Sequence, residues 1–353
     1  MRGLGALAAL LLSAGLLLGG NGLLSTLVAV RADLEAFPPL VVGLLGSFFF
    51  AGYIVGCFAG PAIIQRVGHI RAFAAFGALY GTAPLLHALF VDPVVWAGLR
   101  LAAGLCIAGL STVIESWINE RAHHAERGRI FSVYRIVDLS AVTAGQLVLG
   151  VADPWGWELF SLVAIVFCLS IAPVAVTSSP APAPSDGSRT DLRALYRLSP
   201  LGFVGVVGVG LVNSTFRAVG PIYAQGLGLA LADVALFMSV AILGGALLQW
   251  PWGWVSDRFD RRVVIIVCTG AAGAAGIFMT AAVGMGTNSV LLASFVFGGT
   301  TIPLYSLCVA HTNDYAPKGA FVQVAAGLLV AYGLGAIVGP AAGAGAMQAF
   351  GPQ

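Results

Sequence analysis

The chain has 353 residues, of which 59% are hydrophobic and only 9% are charged, and its mean hydropathy is +0.95. Soluble domains contain about 25% charged residues, so this composition excludes a soluble globular protein. The net charge is only +2, and the basic residues form no stripe with interleaved aromatic residues, which excludes a nucleic-acid partner. We expect the lipid bilayer to surround almost the whole chain.

Eleven apolar runs are long enough to cross the hydrocarbon core, which requires about 20 residues in a helix. Their approximate limits are 4–30, 41–64, 72–91, 94–117, 129–150, 157–177, 200–224, 231–255, 263–286, 289–311 and 321–349. The first run is similar to a secretory signal, but it extends to Val30 and further spans follow it, so we interpret it as a transmembrane helix. The sequence therefore predicts an all-α membrane protein.

Basic residues are concentrated on one side of the predicted membrane. One set of alternate loops contains thirteen of them, namely Arg2, Arg66, Arg71, Arg121, Arg127, Arg129, Arg189, Arg193, Arg197, Arg258, Arg261, Arg262 and Lys318. The other set contains only Arg31. Because basic loops stay in the cytoplasm, the N-terminus is predicted to be cytoplasmic. The remaining three, Arg100, Arg135 and Arg217, fall inside spans.

Polar residues in spans one and four are candidates for a solute pathway. Span one carries Asn21, and span four carries Arg100 and Glu115. A charge inside lipid costs about 2.5 to 3.5 kcal/mol on insertion scales, so we expect Arg100 to face the protein interior or water. Glu115 is a candidate partner for a nearby arginine. The alternatives are a structural role for Arg100, bonded to a carbonyl or a carboxylate, and a solvated position at the helix end for Glu115.

Span five carries a polar stripe formed by Ser132, Arg135, Asp138 and Gln146. At helical spacing these residues lie within an arc of about 120°, and we expect them to face a cavity. Arg135 and Asp138 are three residues apart and can form an ion pair. Either this pair is static and fixes helix packing, or a proton or the substrate competes for it.

A proline-rich segment from Pro180 to Ser188 divides the spans six and five, and it has the composition of a flexible linker. We predict a six-helix bundle in residues 1–177, a cytoplasmic linker in 178–199 and a five-helix bundle in 200–353. The two sides resemble each other, since Arg66 and Arg258 lie 192 residues apart and Gly145 and Gly339 lie 194 apart. Repeated helical halves are typical of secondary transporters.

Span seven carries Asn213 and Arg217 one helical turn apart. This spacing places both residues on one face of the helix, as it does Asn21 and Ser25 in span one. We expect both polar faces to line a solute cavity.

The loop after span eight has the most specific local pattern in the chain. Its residues Gly253, Asp257, Arg258, Arg261 and Arg262 resemble the cytoplasmic loop motif of the major facilitator superfamily, GxxxD(R/K)xGx(R/K)(R/K). Asp260 stands where that motif has glycine. We expect Gly253 to allow close helix approach, Asp257 to accept hydrogen bonds from a helix N-terminus, and the arginines to bridge helix ends. Such a polar latch holds one conformation.

The loop after span two is the counterpart of this latch. It keeps Arg66, Gly68 and Arg71 but has Gln65 where the acid is expected, which predicts a weaker latch. The alternative for both loops is that their basic residues set topology without gating.

Over nearly the whole chain the sequence is similar to the YcaD-like group of this superfamily. The similarity rests on Arg100 with Gly104 in an RxxxG pattern, Val113 to Ser116, Arg127 to Arg129, Gly145 with Gln146, and Gln249 to Pro251. It implies two six-helix bundles around a central cavity, alternating access and an unassigned substrate. Gln146 occupies the place of the proline in the GP-rich motif of drug exporters, which argues against an antiporter. The chain stops where such proteins enter a twelfth helix, so eleven of the expected twelve spans are visible.

The sequence therefore predicts a secondary active transporter of a small organic solute in a bacterial inner membrane, acting as a monomer and coupled to protons through Asp138. The alternatives are a nontransporting receptor, a membrane-embedded enzyme and a passive facilitator. We find no ATP-binding loop, no metal-ligand spacing and no nucleophile elbow, so no cofactor or metal is expected. The five cysteines lie in apolar runs without a metal-binding pattern.

Overall fold

The computed structural model describes residues 2–121, 127–176, 191–317 and 321–351, and all regular structure in these ranges is helical. The helices are α1 (Arg2–Leu34), α2 (Pro39–Val67), α3 (His69–Leu89), α4 (Pro93–Arg121), α5 (Arg127–Leu147), α6 (Glu158–Ala175), α7 (Leu192–Leu198), α8 (Pro200–Gly226), α9 (Leu231–Ser256), α10 (Arg261–Ala281), α11 (Thr287–Asp314) and α12 (Phe321–Phe350). A short 3₁₀ helix, Val148–Val151, follows α5. The prediction of an all-α protein is confirmed.

The predicted spans correspond to the eleven long helices, with each boundary displaced by five residues or fewer. Ten of these helices are long and apolar enough to cross a membrane on their own. The eleventh is α5, whose 21 residues include the four charged residues Arg127, Arg129, Arg135 and Asp138. These four charged side chains make α5 more polar than the other ten helices.

The linker between the two halves is described only from residue 191 onward, so the proline-rich segment lies outside the described residues. The described part is not extended, because Leu192–Leu198 forms the short helix α7. Asp191 caps this helix by accepting hydrogen bonds from the backbone amides of Arg193 and Ala194. The Ser199 side chain then caps α8 by accepting from the Gly202 amide, 3.2 Å away.

The chain forms two compact units. Unit 1 comprises Met1–Phe37 and Phe48–Gly187, and unit 2 comprises Pro38–Ser47 and Ser188–Gln353. The segment Pro38–Ser47, which begins α2, belongs to unit 2 because its glycines lie against later helices. A Cβ atom on Gly43 would meet the Pro340 carbonyl of α12, and one on Gly46 would meet Ala218 of α8.

Unit 1 is assembled through glycines at helix crossings. In unit 1, α1 packs on α5 and α6, and α3 packs on α4 and α6. A Cβ atom on Gly145 of α5 would lie 2.0 Å from the Gly19 carbonyl oxygen of α1. Likewise, a Cβ on Gly104 of α4 would lie 1.9 Å from the Phe49 carbonyl oxygen of α2. The helix backbones therefore touch at these points, which is how helices without a hydrophobic driving force associate in lipid.

Unit 2 repeats these contacts at equivalent positions. A Cβ on Gly339 of α12 would lie 2.2 Å from the Leu211 carbonyl of α8, and a Cβ on Gly298 of α11 would lie 2.0 Å from the Ala241 carbonyl of α9. Gly339 and Gly298 each follow their counterparts, Gly145 and Gly104, by 194 residues. The facing carbonyls, on Leu211 and Ala241, each follow theirs by 192. The same backbone contacts thus hold both halves, which supports the predicted internal repeat.

One face of unit 2 is open where its counterpart in unit 1 is covered. In unit 1, Gly20, Gly77 and Gly81 hold side chains of α6. Their equivalents 192 residues later are Val212, Thr269 and Gly273. These three line a cavity of about 680 Å³ between α8, α10 and α11.

The glycine contacts predict which substitutions the fold tolerates. Gly298→Ala should destabilise the protein by about 1 to 3 kcal/mol, because its new Cβ overlaps the Ala241 carbonyl and the backbone must move. Gly273→Ala is the matched control in neighbouring α10, where an added Cβ meets nothing within 4 Å. Thermal unfolding of the purified variants in detergent measures the difference. Equal melting temperatures would contradict the tight crossing of α9 and α11.

Candidate transport site and gating loop

Asn21 belongs to a buried hydrogen-bonded pair in unit 1. The Tyr80 hydroxyl of α3 donates to Asn21 Oδ1 of α1 at 2.6 Å. Tyr80 is fully buried and stacks on Phe167 of α6, with ring centroids 4.1 Å apart. The structure therefore places Asn21 where three helices meet, with its carbonyl oxygen already satisfied by tyrosine.

Asn213 is the equivalent of Asn21 in unit 2, 192 residues later, but its surroundings differ. The position equivalent to Tyr80 is Ala272, which has no hydroxyl to donate. Asn213 is half-buried, and Arg217 one turn further along α8 is exposed. Among the described residues, neither side chain has a hydrogen-bond or ion-pair partner.

Arg100 is buried at the crossing of α4 and α2, with 5% of its surface exposed. Its guanidinium carbon lies 4.4 Å from the centre of the Phe49 ring. Gly104, one turn later, is the residue that lets α4 approach the Phe49 carbonyl. The RxxxG pattern thus has a local physical meaning, since the glycine brings the helices together and the arginine packs on the aromatic ring beside the contact.

A charged cluster lies between α4 and α5 in unit 1. Arg135 and Asp138 form an ion pair with an N to O distance of 2.5 Å, in which the arginine side chain is 55% exposed and the aspartate only 18%. Glu115 of α4 lies close enough to Asp138 and to Tyr134 of α5 to interact electrostatically with both. The ion pair predicted on span five therefore has a second acid, Glu115 of the neighbouring helix α4, close to it.

Gln146 is buried farther along α5, beside the crossing with α1. Its side-chain oxygen has no hydrogen-bond partner among the described residues. The ion pair and Gln146 thus lie on one helix but in different environments, because Arg135 is largely exposed and Gln146 is 3% exposed.

Unit 2 carries an uncharged polar group in the equivalent region, formed by a hydrogen-bonded pair of side chains and two tyrosines. The Gln249 amide of α9 donates to the Ser306 hydroxyl of α11 at 3.1 Å. Tyr305 of α11 and Tyr332 of α12 are in edge contact with centroids 5.6 Å apart. Tyr332 follows Asp138 by 194 residues, so the internal repeat relates this group to the charged cluster of unit 1.

The second loop forms a charged network around Arg261, at the start of α10. Its guanidinium donates to Asp257 at 3.0 Å and to the Ser256 hydroxyl at 3.1 Å, both at the end of α9. It also pairs with Asp314 at the end of α11, with an N to O distance of 2.9 Å. One arginine therefore links the ends of three helices, as expected for the latch.

The other residues of this loop have separate roles. Asp260, in place of the motif's glycine, caps α10 by accepting a hydrogen bond from the Arg262 amide at 2.9 Å. Arg262 donates to the Tyr315 hydroxyl at 2.7 Å, and Arg258 lies over the Trp254 ring at 3.6 Å.

Two expectations about this loop differ from the structure. Gly253 makes no close helix contact, because a Cβ added there would meet nothing within 4 Å. Asp257 accepts from the Arg261 side chain, whereas we expected it to accept from the start of a helix. Both contacts depend on where neighbouring helices lie, which the loop sequence does not specify.

The arginines of the first loop differ from Arg261 in their surroundings. Arg66 and Arg71 are exposed, and neither has a hydrogen-bond or ion-pair partner within the described part of the chain. Gly68 precedes α3 with φ of +86°, a conformation that side-chain-bearing residues rarely adopt. The glycine is thus explained by backbone geometry at the helix start.

Arg31, in the last turn of α1, is the single basic residue in the loops that the sequence predicts to be non-cytoplasmic. Arg31 pairs with Glu35 at 2.6 Å and donates to the Pro154 and Trp155 carbonyl oxygens in the turn before α6. Its charge is therefore locally compensated, which explains how an arginine fits on a side otherwise without basic residues.

Comparisons with known proteins agree with this architecture. The family profile of the Major Facilitator Superfamily matches residues 9–340. The chain is 26% identical to an uncharacterized MFS-type transporter of Yersinia enterocolitica, covering 94% of this chain and 86% of that protein. It is 27% identical to the uncharacterized MFS-type transporter YcaD of Shigella flexneri, covering 97% and 89%.

Two solved structures share the fold. The nucleoside transporter NupG superposes with a TM-score of 0.82 at 13% identity, covering 98% of this chain and 91% of that one. A D-xylose-proton symporter superposes with a TM-score of 0.68 at 15% identity, covering 98% and 89%. At these identities the likeness shows the fold alone.

The Arg261 network predicts energetic coupling between the ends of α10 and α11. In a double-mutant cycle with Arg261→Ala and Asp314→Asn, we expect a coupling energy of about 0.5 to 1 kcal/mol, since both side chains are partly exposed. Thermal unfolding at low and high salt measures it, and high salt should reduce it. Arg258→Ala with Asp314→Asn is the matched control and should show no coupling. An equal value in both cycles would contradict the network.

Proposed function

The chain belongs to the major facilitator superfamily, and we propose that it moves a small organic solute across the bacterial inner membrane by alternating access, with proton coupling through the charged cluster of α4 and α5. Membership of this family makes the protein a transporter rather than an enzyme. The same fold serves a D-xylose-proton symporter, so proton coupling is compatible with the architecture.

The observation that carries the proposal is the unequal charge of the cluster. Glu115 and Asp138 are two acids, and Arg135 is the only basic side chain paired with either among the described residues. Uptake of one proton makes the cluster neutral, and its loss leaves one excess negative charge inside the membrane-spanning bundle. Since excess charge is costly there, the protonated and deprotonated clusters favour different exposure to water.

Asp138 is the preferred proton carrier because of its position in the pair. Its side chain is sheltered while that of Arg135 is largely exposed. Protonation of Asp138 breaks the ion pair and releases the arginine toward water or toward a solute. The sequence left two roles open for this pair, a static contact that fixes packing and a contact for which a proton or the substrate competes. The sheltered position of Asp138 supports the second role.

The second loop supports a conformational latch. Arg261 links α9, α10 and α11 through partly exposed ion pairs, which are weak enough to break during a transport cycle. Arg66 and Arg71 of the first loop form no such ion pairs with other described residues. We therefore propose that the Arg261 network stabilises one state of unit 2, with Asp257 and Asp314 as its partners.

Loss of the carrier acid is the sharpest test of coupling. In proteoliposomes with an imposed pH gradient, Asp138→Asn should abolish gradient-driven accumulation of a transported solute while leaving exchange of that solute measurable. The physical reason is that asparagine has no proton to release. The solute is first identified as a compound that raises the melting temperature of the purified protein.

Asp92→Asn is the matched control. Asp92 is an exposed acid just before α4, and it accepts hydrogen bonds from the Val94 and Val95 amides in the first turn of that helix. An asparagine side chain can accept the same hydrogen bonds. It should retain accumulation. Unchanged accumulation in Asp138→Asn would remove the proton assignment. Wild-type flux that never exceeds equilibrium would favour a passive facilitator.

The loop charges predict that the N-terminus is cytoplasmic, and labelling tests this. In a variant whose native cysteines are replaced, Ser185→Cys in the linker should react with a membrane-impermeant maleimide only after the cells are opened. Met285→Cys, between α10 and α11, should react in intact cells because this side chain is 66% exposed and lies on the other side. The reverse pattern would invert the proposed topology.

A further inference from the structure

The face of α8 that carries Asn213 and Arg217 is otherwise a protein-facing surface. With about 100° per residue, seven buried residues lie within about 60° of the direction midway between these two side chains. They are Gly202, Val206, Val209, Gly210, Gly220, Pro221 and Ala224. On the opposite side of the helix, Val204 is 60% exposed. Arg217 thus lies on the buried side of α8 and yet is itself exposed.

The internal repeat shows that this pair is not needed to hold the fold. In unit 1, Asn21 is closed off by the Tyr80 hydroxyl, and the position equivalent to Arg217 is Ser25, a small neutral residue. In unit 2 the tyrosine is replaced by Ala272 and the serine by an arginine. The same backbone framework therefore carries a hydrogen-bonded asparagine, Asn21, in unit 1. In unit 2 it carries Asn213 and Arg217, whose side chains have no partner among the described residues.

The chemistry of the two side chains specifies a ligand. A guanidinium presents two parallel N–H groups that match the two oxygens of a carboxylate, and the asparagine amide one turn away adds a third donor about 5 to 6 Å along the helix. We propose that Asn213 and Arg217 bind the carboxylate of a small organic anion, which makes the transported solute an organic acid. This inference rests on the proposed transport function for its physiological meaning, whereas binding is measured independently of transport.

The charge balance of unit 2 favours an anion over a neutral solute. Tyr305, Tyr332, Gln249 and Ser306 supply uncharged groups. Of the acids near the second loop, Asp257 and Asp314 are engaged by Arg261, and Asp260 caps α10. An anion at Arg217 would compensate a charge in the middle of a membrane-spanning helix. A neutral solute would leave that charge without a counterion.

The test measures ligand-induced stabilisation of the full chain in detergent at neutral pH and constant ionic strength. The probes are matched pairs of acid and amide, namely lactate with lactamide, succinate with succinamide and benzoate with benzamide. At least one acid should raise the melting temperature while its amide does not. Absence of any acid-specific stabilisation would overturn the proposal, and so would stabilisation by glycerol phosphate with none by the carboxylates.

Four variants locate the site once an acid binds. Arg217→Gln should weaken its dissociation constant at least tenfold, Arg217→Lys should weaken it less, and Asn213→Asp should weaken it most because a second negative charge repels the ligand. Arg197→Gln, which removes an exposed charge from α7, should leave the constant unchanged. Equal affinity in Arg217→Gln and Arg197→Gln would overturn the assignment.

The two proposals fail separately. Binding that depends on Arg217 without gradient-driven accumulation would contradict proton-coupled transport and leave the carboxylate site standing. Accumulation of a neutral solute that is insensitive to Arg217→Gln would contradict the carboxylate site and leave the transport proposal standing. If Arg217→Gln lowers the melting temperature of the free protein, the Asn213→Asp variant provides the same test without removing the arginine.

Discussion

Direct contact between helix backbones is the constraint on which the rest of this structure depends. Lipid is as apolar as the side chains of the helices, so burial of apolar surface does little to hold the helices together. Close packing at Gly104, Gly145, Gly298 and Gly339 does, because each lets one helix touch a carbonyl of its neighbour. These four positions fix the pairs α2 with α4, α5 with α1, α9 with α11 and α12 with α8. Arg100 and Gln146 lie beside two of these contacts.

The sequence predicted the features that depend on one helix at a time. Span positions follow from the length of an apolar run, and the Arg135–Asp138 pair follows from a spacing of three residues. The sequence did not predict that Asn21 is satisfied by Tyr80, because these residues are 59 positions apart and meet only through the packing of both α1 and α3 on α6. For the same reason it assigned Gly253 a close contact that the fold does not provide. Contacts between helices depend on rotation and tilt, which an apolar run does not encode.

The repeat supplies information that neither half gives alone. Asn21 and Asn213 are equivalent in sequence, and their different environments separate a structural amide from a candidate binding residue. In the same way, the charged group Glu115, Arg135 and Asp138 corresponds through the repeat to an uncharged group that includes Tyr332. Unit 1 thus carries two acids, Glu115 and Asp138, within its spans, and unit 2 carries Arg217, which has no partner among the described residues. The two halves share a framework while carrying different chemistry.

The hydrogen bonds of Arg31 form a tether between α1 and the turn before α6, and this tether affects how unit 1 lies in the bilayer. Arg31 binds two carbonyl oxygens of the turn before α6, and Trp155 and Trp157 in that turn are 51% and 66% exposed. Indole rings favour the boundary between hydrocarbon and water. Because the tether joins the end of α1 to these rings, the immersion depth of α1 is tied to that of the turn between α5 and α6. A change in bilayer thickness therefore acts on these helices together, through one arginine.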